Sequence, residues 1–361
     1  MKERKKYNTK SSVLLVLLLV AFLIVATYAW FTANRQVRTG SMDVQIQASE
    51  GFQISVDAVN WKSVIQVADI KGGLVDTLYP THANHVPTDM VPVSTATLTE
   101  EVDGHMEMFV GTVTTDDDGE YIISAAPVVE DKTTGGFIAF DLFFRTNNNI
   151  IVHLEEEACV KDIGQGTRDG KGMENAARVG FVDQGNIPST STLTGSALAS
   201  AARALVFGTS TTGRDGSNVI IWEPNFLSHT DNAKIDIYNI FGTDVSSTAY
   251  NSRQVYDGIY DEIPVTQDSK ATPTNYDDRV FLTENNATDN SDFFKAIPNT
   301  RFVTTPKSRT GIQQIFKLKA GITKMRIYMW LEGQDWDCYD SASGSDIRWD
   351  LILTATKDVG P

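Results

Sequence analysis

The stretch "MDVQIQASEGFQISVDA", residues 42 to 58, alternates apolar and polar side chains on both sides of a short turn. The first arm has an apolar residue at every second position, and the second arm repeats this from Phe52 onward. Residues 49–51, Ser-Glu-Gly, supply the turn. A period of two is typical of a β-strand with one buried and one solvated face. The stretch therefore predicts a β-hairpin with one wet face.

The same alternation returns along the chain and predicts an all-β fold. Clusters of Gly, Asn, Asp and Thr separate the alternating runs, as expected for turns. The predicted strands lie at residues 138–144, 150–154, 205–207, 219–222, 316–318, 325–331 and 349–355. Two more candidates, residues 108–113 and 121–125, flank an Asp-Asp-Asp-Gly-Glu turn that is typical of a hairpin. We predict a jelly-roll-like antiparallel β-sandwich.

Helix-forming sequence is scarce. An alanine-rich run from Ser196 to Leu205 predicts one short helix, and residues 172–177 predict a helical turn. Between Thr243 and Arg309 the alternation weakens, and Ser, Thr, Asn, Asp and Pro dominate. We interpret this region as a long surface insertion in a sandwich domain of residues 41–361, with a small subdomain as the alternative.

A long apolar segment lies near the N-terminus. Val13 to Phe31 contains nineteen residues without a charge, enough to span a bilayer. Basic residues precede it at positions 2, 4, 5, 6 and 10. Because basic flanks stay in the cytoplasm, we expect the rest of the chain to lie outside the membrane.

The end of this segment predicts a processing site. Thr27 and Ala29 are small enough for the recognition pockets of a signal peptidase, so cleavage is expected before Trp30. A secretory apolar region is usually shorter than this one, so an uncleaved signal anchor is the alternative. Residues 1–29 are therefore interpreted as a signal peptide or a signal anchor.

The formal charge of −15 restricts the partners of the protein. Residues 1–29 carry a net charge of +4, so the processed chain would carry −19. Such an acidic surface repels nucleic acid and anionic lipid. We expect no nucleic-acid partner, and membrane contact only through the N-terminal segment.

Cys159 and Cys338 are the two cysteines of the chain. In an oxidising exterior they predict a single disulfide. It would close a loop of about 180 residues and stabilise the fold by about 5 kcal/mol. Two buried thiols are the alternative. A zinc site is not expected, because two isolated cysteines without neighbouring histidines supply too few ligands.

The sequence lacks the residue patterns of familiar catalytic sites. None of its five histidines lies in an HExxH arrangement, and it contains no GxSxG turn or phosphate-binding glycine loop. His82 and His85 stand among turn residues, where we expect a solvated loop. Glu155-Glu156-Glu157 is interpreted as a charged strand end rather than a glycosidase pair. We predict a protein that is not an enzyme and has no cofactor.

Two groups of acidic residues leave calcium as an alternative to the absence of a cofactor. Asp116 and Asp118 lie in the predicted turn at residues 116–120, and Asp335 and Asp337 lie beside Cys338. Closely spaced carboxylates are suitable ligands for this cation. Neither group has the spacing of an EF-hand loop, so the expectation is of no firm metal site.

The segment "TYAWFTANRQVRTGSMDVQIQ", residues 27–47, resembles the junction of TasA and camelysin-like proteins, which carry SipW-type signal peptides. The matching parts are Thr-Tyr-Ala at 27–29, Trp-Phe-Thr at 30–32 and Gly-Ser-Met-Asp-Val at 40–44. The Gly-Gly run usual in those signal peptides is replaced by Ile-Val-Ala at 24–26. The resemblance covers about twenty residues.

Further segments are similar to a group of uncharacterised surface proteins of Gram-positive anaerobes. They are "MVPVST" (90–95), "FIAFDLFFRTN" (137–147), "AARVGFV" (176–182), "WEPN" (222–225) and "WLEGQDWDC" (330–338). This similarity implies a cell-surface location in a Gram-positive bacterium, and no activity.

The resemblance to TasA implies a jelly-roll subunit of an extracellular biofilm fibre. In that family the freed N-terminal segment of one subunit adds as a strand to the next. Here the donor strand would be residues 30–40, with Trp30, Phe31 and Val37 as its apolar side chains. The partners would then be a signal peptidase and other copies of the chain in a head-to-tail polymer.

Three other classes are weighed against the fibre subunit. Residues 13–31 retained as an anchor would give a membrane-anchored adhesin or binding ectodomain. A type IV pilin-like subunit is less favoured, because the apolar run contains no glutamate. An extracellular peptidase is the last, since camelysin-like proteins have been described as proteases and no zinc motif is found here.

Overall fold

The computed structural model describes residues 42–49, 51–72, 83–88, 90–97, 106–115, 121–128, 130, 135–155, 157–163, 172–206, 219–223, 263–265, 302–304, 313–333, 337–338 and 344–358. All of them belong to one compact unit, residues 37–361. No helix among these residues has the length and apolar character needed to cross a membrane. The predicted apolar segment, residues 13–31, and the predicted processing site lie outside the described residues.

The described residues form sixteen strands and two short α-helices. The strands are β1 (Met42–Ala48), β2 (Phe52–Ser55), β3 (Val64–Gln66), β4 (Ser94–Thr97), β5 (Glu107–Thr115), β6 (Tyr121–Val128), β7 (Phe137–Thr146), β8 (Ile150–Leu154), β9 (Cys159–Asp162), β10 (Ala177–Pro188), β11 (Val219–Glu223), β12 (Ile263–Val265), β13 (Phe302–Thr304), β14 (Gln313–Leu318), β15 (Gly321–Leu331) and β16 (Ile347–Lys357). The helices are α1 (Val67–Ile70) and α2 (Gly195–Arg203), and a 3-10 turn covers Met173–Ala176.

Sheet I contains six strands, in the order β14-β8-β16-β1-β3, with β9 also paired to β16. β1 runs parallel to β16, and the other pairs are antiparallel. β9 and β8 pair with successive halves of β16, first Ile347 to Asp350 and then Leu353 to Lys357.

Sheet II contains six strands in the order β13-β11-β10-β15-β7-β2. Its long central strands are antiparallel, and β11 and β13 are parallel. Sheet III has four antiparallel strands, β12-β6-β5-β4. The all-β prediction is therefore confirmed at the level of a β-sandwich with few helices.

The predicted hairpin at residues 42–58 is wrong. β1 belongs to sheet I and β2 to sheet II, so the chain crosses between sheets at residues 49–51. Gly51 has a φ of 110°, which favours glycine. The two sheets come together again where Ile54 and Lys62 exchange backbone hydrogen bonds of 2.9 and 2.8 Å. Alternation predicted the buried face of each strand correctly but does not specify its partner.

The main core lies between sheets I and II. Phe316 of β14 reaches across to sheet II, where its ring centroid is 5.5 Å from the centroids of both Phe144 and Phe181. Val44 and Leu351, opposite the sheet II side chains, are fully buried. Burying one such side chain stabilises the fold by roughly 1.5–3 kcal/mol.

Sheet II is covered on both faces. All eleven residues of β15 are buried, including Lys324 and Arg326. Helix α2 covers one end of the outer face, where Ala199 and Ala202 pack with Ile322 in a second apolar cluster. The outer face of this sheet is therefore an interior layer.

Several local predictions are confirmed. The helix predicted at 196–205 is α2, the turn predicted at 172–177 contains the 3-10 turn, and the hairpin strands around residues 116–120 are β5 and β6. The strand predicted at 205–207 is wrong at its described residues, since Leu205 and Val206 belong to no strand. Within the interpreted insertion, 243–309, only β12 and β13 are described, and they pair with β6 and β11.

Candidate functional site

The residues predicted for signal cleavage and strand donation belong to the N-terminal segment. Thr27, Ala29, Trp30, Phe31 and Val37 lie outside the described residues. The signal-cleavage and donor-strand assignments therefore stay predictions.

The predicted disulfide is not formed. Cys159 and Cys338 are half-buried thiols without a bond between them. Cys159 lies directly opposite Asp350 in the β9–β16 ladder, and directly opposite residues share a face of the sheet. Cys338 packs against the main core instead.

Only one of the four candidate calcium ligands lies among the described residues. Asp116, Asp118 and Asp335 lie outside the described residues, and Asp337 is fully buried. Within the part of the chain that the structure describes, no three His, Cys, Asp or Glu side chains are grouped so that they could hold a metal ion.

The outer face of sheet I is polar, as the alternation of β1 predicts. Arg348 donates from Nε to Asp350 (2.7 Å), donates to Gln45, and lies 3.5 Å from a carboxylate oxygen of Asp43. Lys161 pairs with Asp350 at 2.6 Å. A hydrogen bond to Asp350 is the main reason why the pKa of Arg348 is raised. This solvated network holds β1, β9 and β16 in register.

One edge of sheet I is a candidate assembly surface. β14 pairs with β8 on one side, and no described strand pairs with its other side. Its Ile315, Phe316 and Leu318 are buried, whereas Lys317 is exposed and lies 3.5 Å from Asp358. At six residues, β14 is the longest strand at the end of any described sheet. An edge of unpaired N–H and C=O groups is a template for another strand.

A buried charge cluster occupies the outer face of sheet II. We use this name for His85, Asn84, Glu130, Asp141, Lys324, Arg326 and Tyr328, all of which are nine-tenths or more buried. Arg326 donates to Asp141 (3.2 Å) and to Glu130. Tyr328 donates to the other Glu130 oxygen (2.6 Å). Two cations and two carboxylates balance one another, which buried charges require.

The cluster joins chain segments that are far apart in sequence. Lys324 lies 3.4 Å from Asp141 and donates to the carbonyl groups of Arg203 and Leu205 at 2.9 and 3.2 Å, at the C-terminal end of α2. Arg326 also donates to the carbonyl of Ala83 (3.1 Å). The cluster thus connects β7 and β15 with α2, residue 130 and residues 83–88.

The electrostatic environment of the buried charge cluster keeps Arg326 and Tyr328 each in one protonation state. Burial lowers the pKa of Arg326, but Glu130 and Asp141 outweigh burial and raise it overall. Burial and the adjacent Glu130 carboxylate raise the pKa of Tyr328 well above its usual value. Arg326 therefore stays a cation and Tyr328 a neutral hydrogen-bond donor at physiological pH.

The expectation of a solvated loop at His85 is wrong. His85 is 5% exposed, and its ring lies edge-on to Phe137 with 5.7 Å between centroids. His82 lies outside the described residues. The polar residues of β15, at every second position from Lys324, resembled a wet face. In the sequence, the only indication that these polar residues have buried partners was a lysine and an arginine within a strongly apolar strand.

No protein-family model, curated protein or solved structure matches this chain.

Proposed function

We propose that this chain is a secreted structural subunit with a jelly-roll-like fold, which forms fibres at the surface of a Gram-positive bacterium. Residues 1–29 are the signal peptide or anchor in this proposal, and residues 30–40 are a donor strand for a neighbouring copy. The outer edge of β14, with which no described strand pairs, is the observation that carries it, because donor-strand assembly requires an acceptor edge.

The strand directions restrict where the donor can bind. β16 is parallel to β1, β8 is antiparallel to β16, and β14 is antiparallel to β8. β14 therefore runs in the same direction as β1. A donor that docked beside β14 of its own molecule would have to end near the start of β1. It would therefore lie antiparallel to β14.

The reach of the chain disfavours binding within one molecule. A strand added beside β14 lies four strand positions from β1, a distance of about 19 Å at about 4.8 Å per strand. Even if residues 36–41 served only as a linker, they would span about 20 Å when fully extended. Docking within one molecule would use the full length of the linker and leave no residues for the turns at its two ends. Docking to a second molecule does not require the linker to span this distance.

The donor segment supplies apolar area, backbone groups and charge. Burial of Trp30 and Phe31 stabilises the contact by roughly 2–3 kcal/mol each. Main-chain hydrogen bonds along the edge add to this. Arg35 and Arg38 favour contact with a subunit of net charge −15 or lower. Because such contacts are head-to-tail and do not close, they build filaments.

Deletion of Trp30 to Val37 tests the proposal. The truncated protein should stay folded by circular dichroism and form no filaments in electron micrographs. Thr32→Ser, a conservative change in the same segment, is the matched control and should leave filaments intact. Polymerisation of the truncated protein would show that the donor strand is not the assembly element.

Linker length offers a sharper test. Inserting six Gly/Ser residues between Gly40 and Ser41 makes self-docking possible and leaves the donor, residues 30–40, unchanged. The monomer fraction in sedimentation experiments should then rise. An unchanged monomer fraction would contradict the role of reach.

A membrane-anchored adhesin or binding ectodomain is the second candidate, favoured by the nineteen-residue uncharged run. Mass spectrometry of the native protein separates the two. A chain that begins at Trp30 supports the fibre subunit, and a chain that retains residues 1–29 supports the anchored form.

A further inference from the structure

Residues 83–88 are attached to sheet II through a narrow contact at His85. Its backbone N–H donates to Ala139 (2.9 Å), and its carbonyl accepts from the N–H of Ala139 (3.3 Å). This is an isolated bridge rather than a strand. Asn84 adds to this attachment, because its side-chain oxygen accepts from the N–H of Asp141 (2.8 Å) and its amide donates to the carbonyl of Val56 (3.2 Å). The carbonyl of Ala83 accepts from Arg326 (3.1 Å).

The His85 ring is enclosed in its neutral form. Nδ1 lies 3.0 Å from the carbonyl of Ala83, so the proton belongs on Nδ1. Nε2 is buried and has no hydrogen-bond partner of regular geometry among the described residues. The backbone of Phe137 offers it only a minor stabilising contact. A proton on Nε2 would therefore be a buried charge with few compensating groups.

The charged side chains around the His85 ring are already paired with other groups. Glu130, the carboxylate that attracts a proton on His85, is bound to Arg326 and Tyr328. Arg326 repels such a proton. Asp141 is held by Arg326 and Lys324. The cluster as a whole has no spare negative charge for an imidazolium.

We propose that residues 83–88 form an acid-released strap: protonation of His85 separates these residues from β7 and exposes the edge of β7 at Ala139 and Asp141. The strap lies beside this part of β7, and its release also removes the Ala83 and Asn84 contacts of Arg326. The proposal does not depend on polymerisation.

The direction of the pH effect follows from the histidine. Burial lowers the pKa of His85 below its usual 6.5, and Arg326 acts in the same sense, while the Ala83 carbonyl and Glu130 act against them. Well above pH 6.5 the attached and the released strap bind the same number of protons. Below pH 6.5, His85 binds a proton in the released form but not in the attached form, so release is favoured. Each unit of difference in pKa changes the release equilibrium about tenfold.

Hydrogen exchange of the full chain, followed by mass spectrometry, tests the proposal. Rates for residues 83–88 and 137–142, corrected for the intrinsic effect of pH, should rise between about pH 7.5 and about pH 5. The core strand β16 should remain protected. Equal protection of residues 83–88 at both pH values would overturn the proposal.

Two variants identify the responsible side chain. His85→Phe keeps an aromatic ring beside Phe137 and cannot titrate, so its exchange should be independent of pH in this range. His153→Gln is the matched control: burial also lowers the pKa of His153, but it lies on the outer face of sheet I, bound to Thr356 at 2.9 Å. It should keep the wild-type response. If His85→Phe does not fold, His85→Gln takes its place, and a response that persists in either variant contradicts the proposal.

Discussion

The sulfur of Met106 lies over Gly180 so closely that a Cβ atom at residue 180 would come within 2.6 Å of it. The ring of Trp330 would lie 3.3 Å from the same atom. Met106 directly precedes β5, whereas Gly180 lies in β10. The missing side chain thus allows the chain next to sheet III to contact the outer face of sheet II.

Gly180→Ala should lower the free energy of unfolding by about 1–3 kcal/mol, the usual cost of overpacking. Chemical denaturation measures it. In the double variant Met106→Ala/Gly180→Ala the added methyl group has room, so the two effects should be less than additive. Strict additivity would mean that the contact does not limit residue 180.

At Gly321 a side chain would cause steric overlap in addition to backbone strain. Its φ of 130° favours glycine, and a Cβ atom there would overlap the carbonyl oxygen of Ile187 and lie 2.8 Å from the N of Ser189. Gly321→Ala should therefore destabilise the fold by more than the roughly 1 kcal/mol expected from backbone conformation alone. Thermal unfolding measures the loss.

Gly51→Ala is the matched control for this prediction. Gly51 has a similar φ of 110°, but a Cβ atom there would meet nothing within 4 Å. Its cost should be that of backbone strain. Equal losses for the two variants would show that the turn at Gly321 can move away from the new methyl group.

Arg326→Met should be among the most destabilising changes in the chain. It leaves Glu130 and Asp141 buried without their main cation, a loss of about 3–5 kcal/mol. Lys62→Met breaks the exposed pair with Asp69 and should cost at most about 1 kcal/mol. Urea denaturation of both variants compares the buried and exposed ion pairs directly, and similar losses would contradict the role of burial.

The sequence predicted strands better than it predicted partners. Val44 and Ile46 of β1 and Phe52 and Ile54 of β2 are buried as the alternation requires, yet the two strands belong to different sheets. The turn at residues 49–51 was equally compatible with a hairpin and with a crossing between sheets. β1 instead lies parallel to β16, almost three hundred residues later, and no local pattern encodes that pairing.

The buried charge cluster was hidden by the same pattern. Lys324, Arg326 and Tyr328 alternate with apolar residues, as on a solvated face. Their burial depends on Glu130 and His85, which come from segments distant in sequence. The polar residues of β15 alone could not predict this burial. The outer face of sheet II is buried only because other segments of the chain pack over it.

Asp57 supplies a last, pH-dependent prediction in the loop between β2 and β3. Its Oδ1 accepts hydrogen bonds from the N–H groups of Val59 (2.8 Å) and Asn60 (2.7 Å) and from the Ser55 hydroxyl (2.8 Å). These bonds hold the chain around Ala58, whose φ of 56° is rare outside glycine. Burial raises the pKa of Asp57, but the hydrogen bonds from Asn60, Val59 and Ser55 together outweigh burial and lower it below 3.8.

Asp57→Ala should therefore destabilise the fold at neutral pH, by about 1 kcal/mol for the lost hydrogen bonds. A carboxylate with a lowered pKa stabilises the fold above its unfolded pKa, and this contribution disappears as pH falls through the folded pKa. The difference in unfolding free energy between wild type and variant should thus shrink below about pH 4. Ser191→Ala, which removes a hydroxyl that accepts from the N–H of Leu193 at 3.3 Å, is a control without a titrating group. Urea denaturation at several pH values measures both, and a difference for Asp57→Ala that stays constant with pH would show that the carboxylate charge does not stabilise the loop.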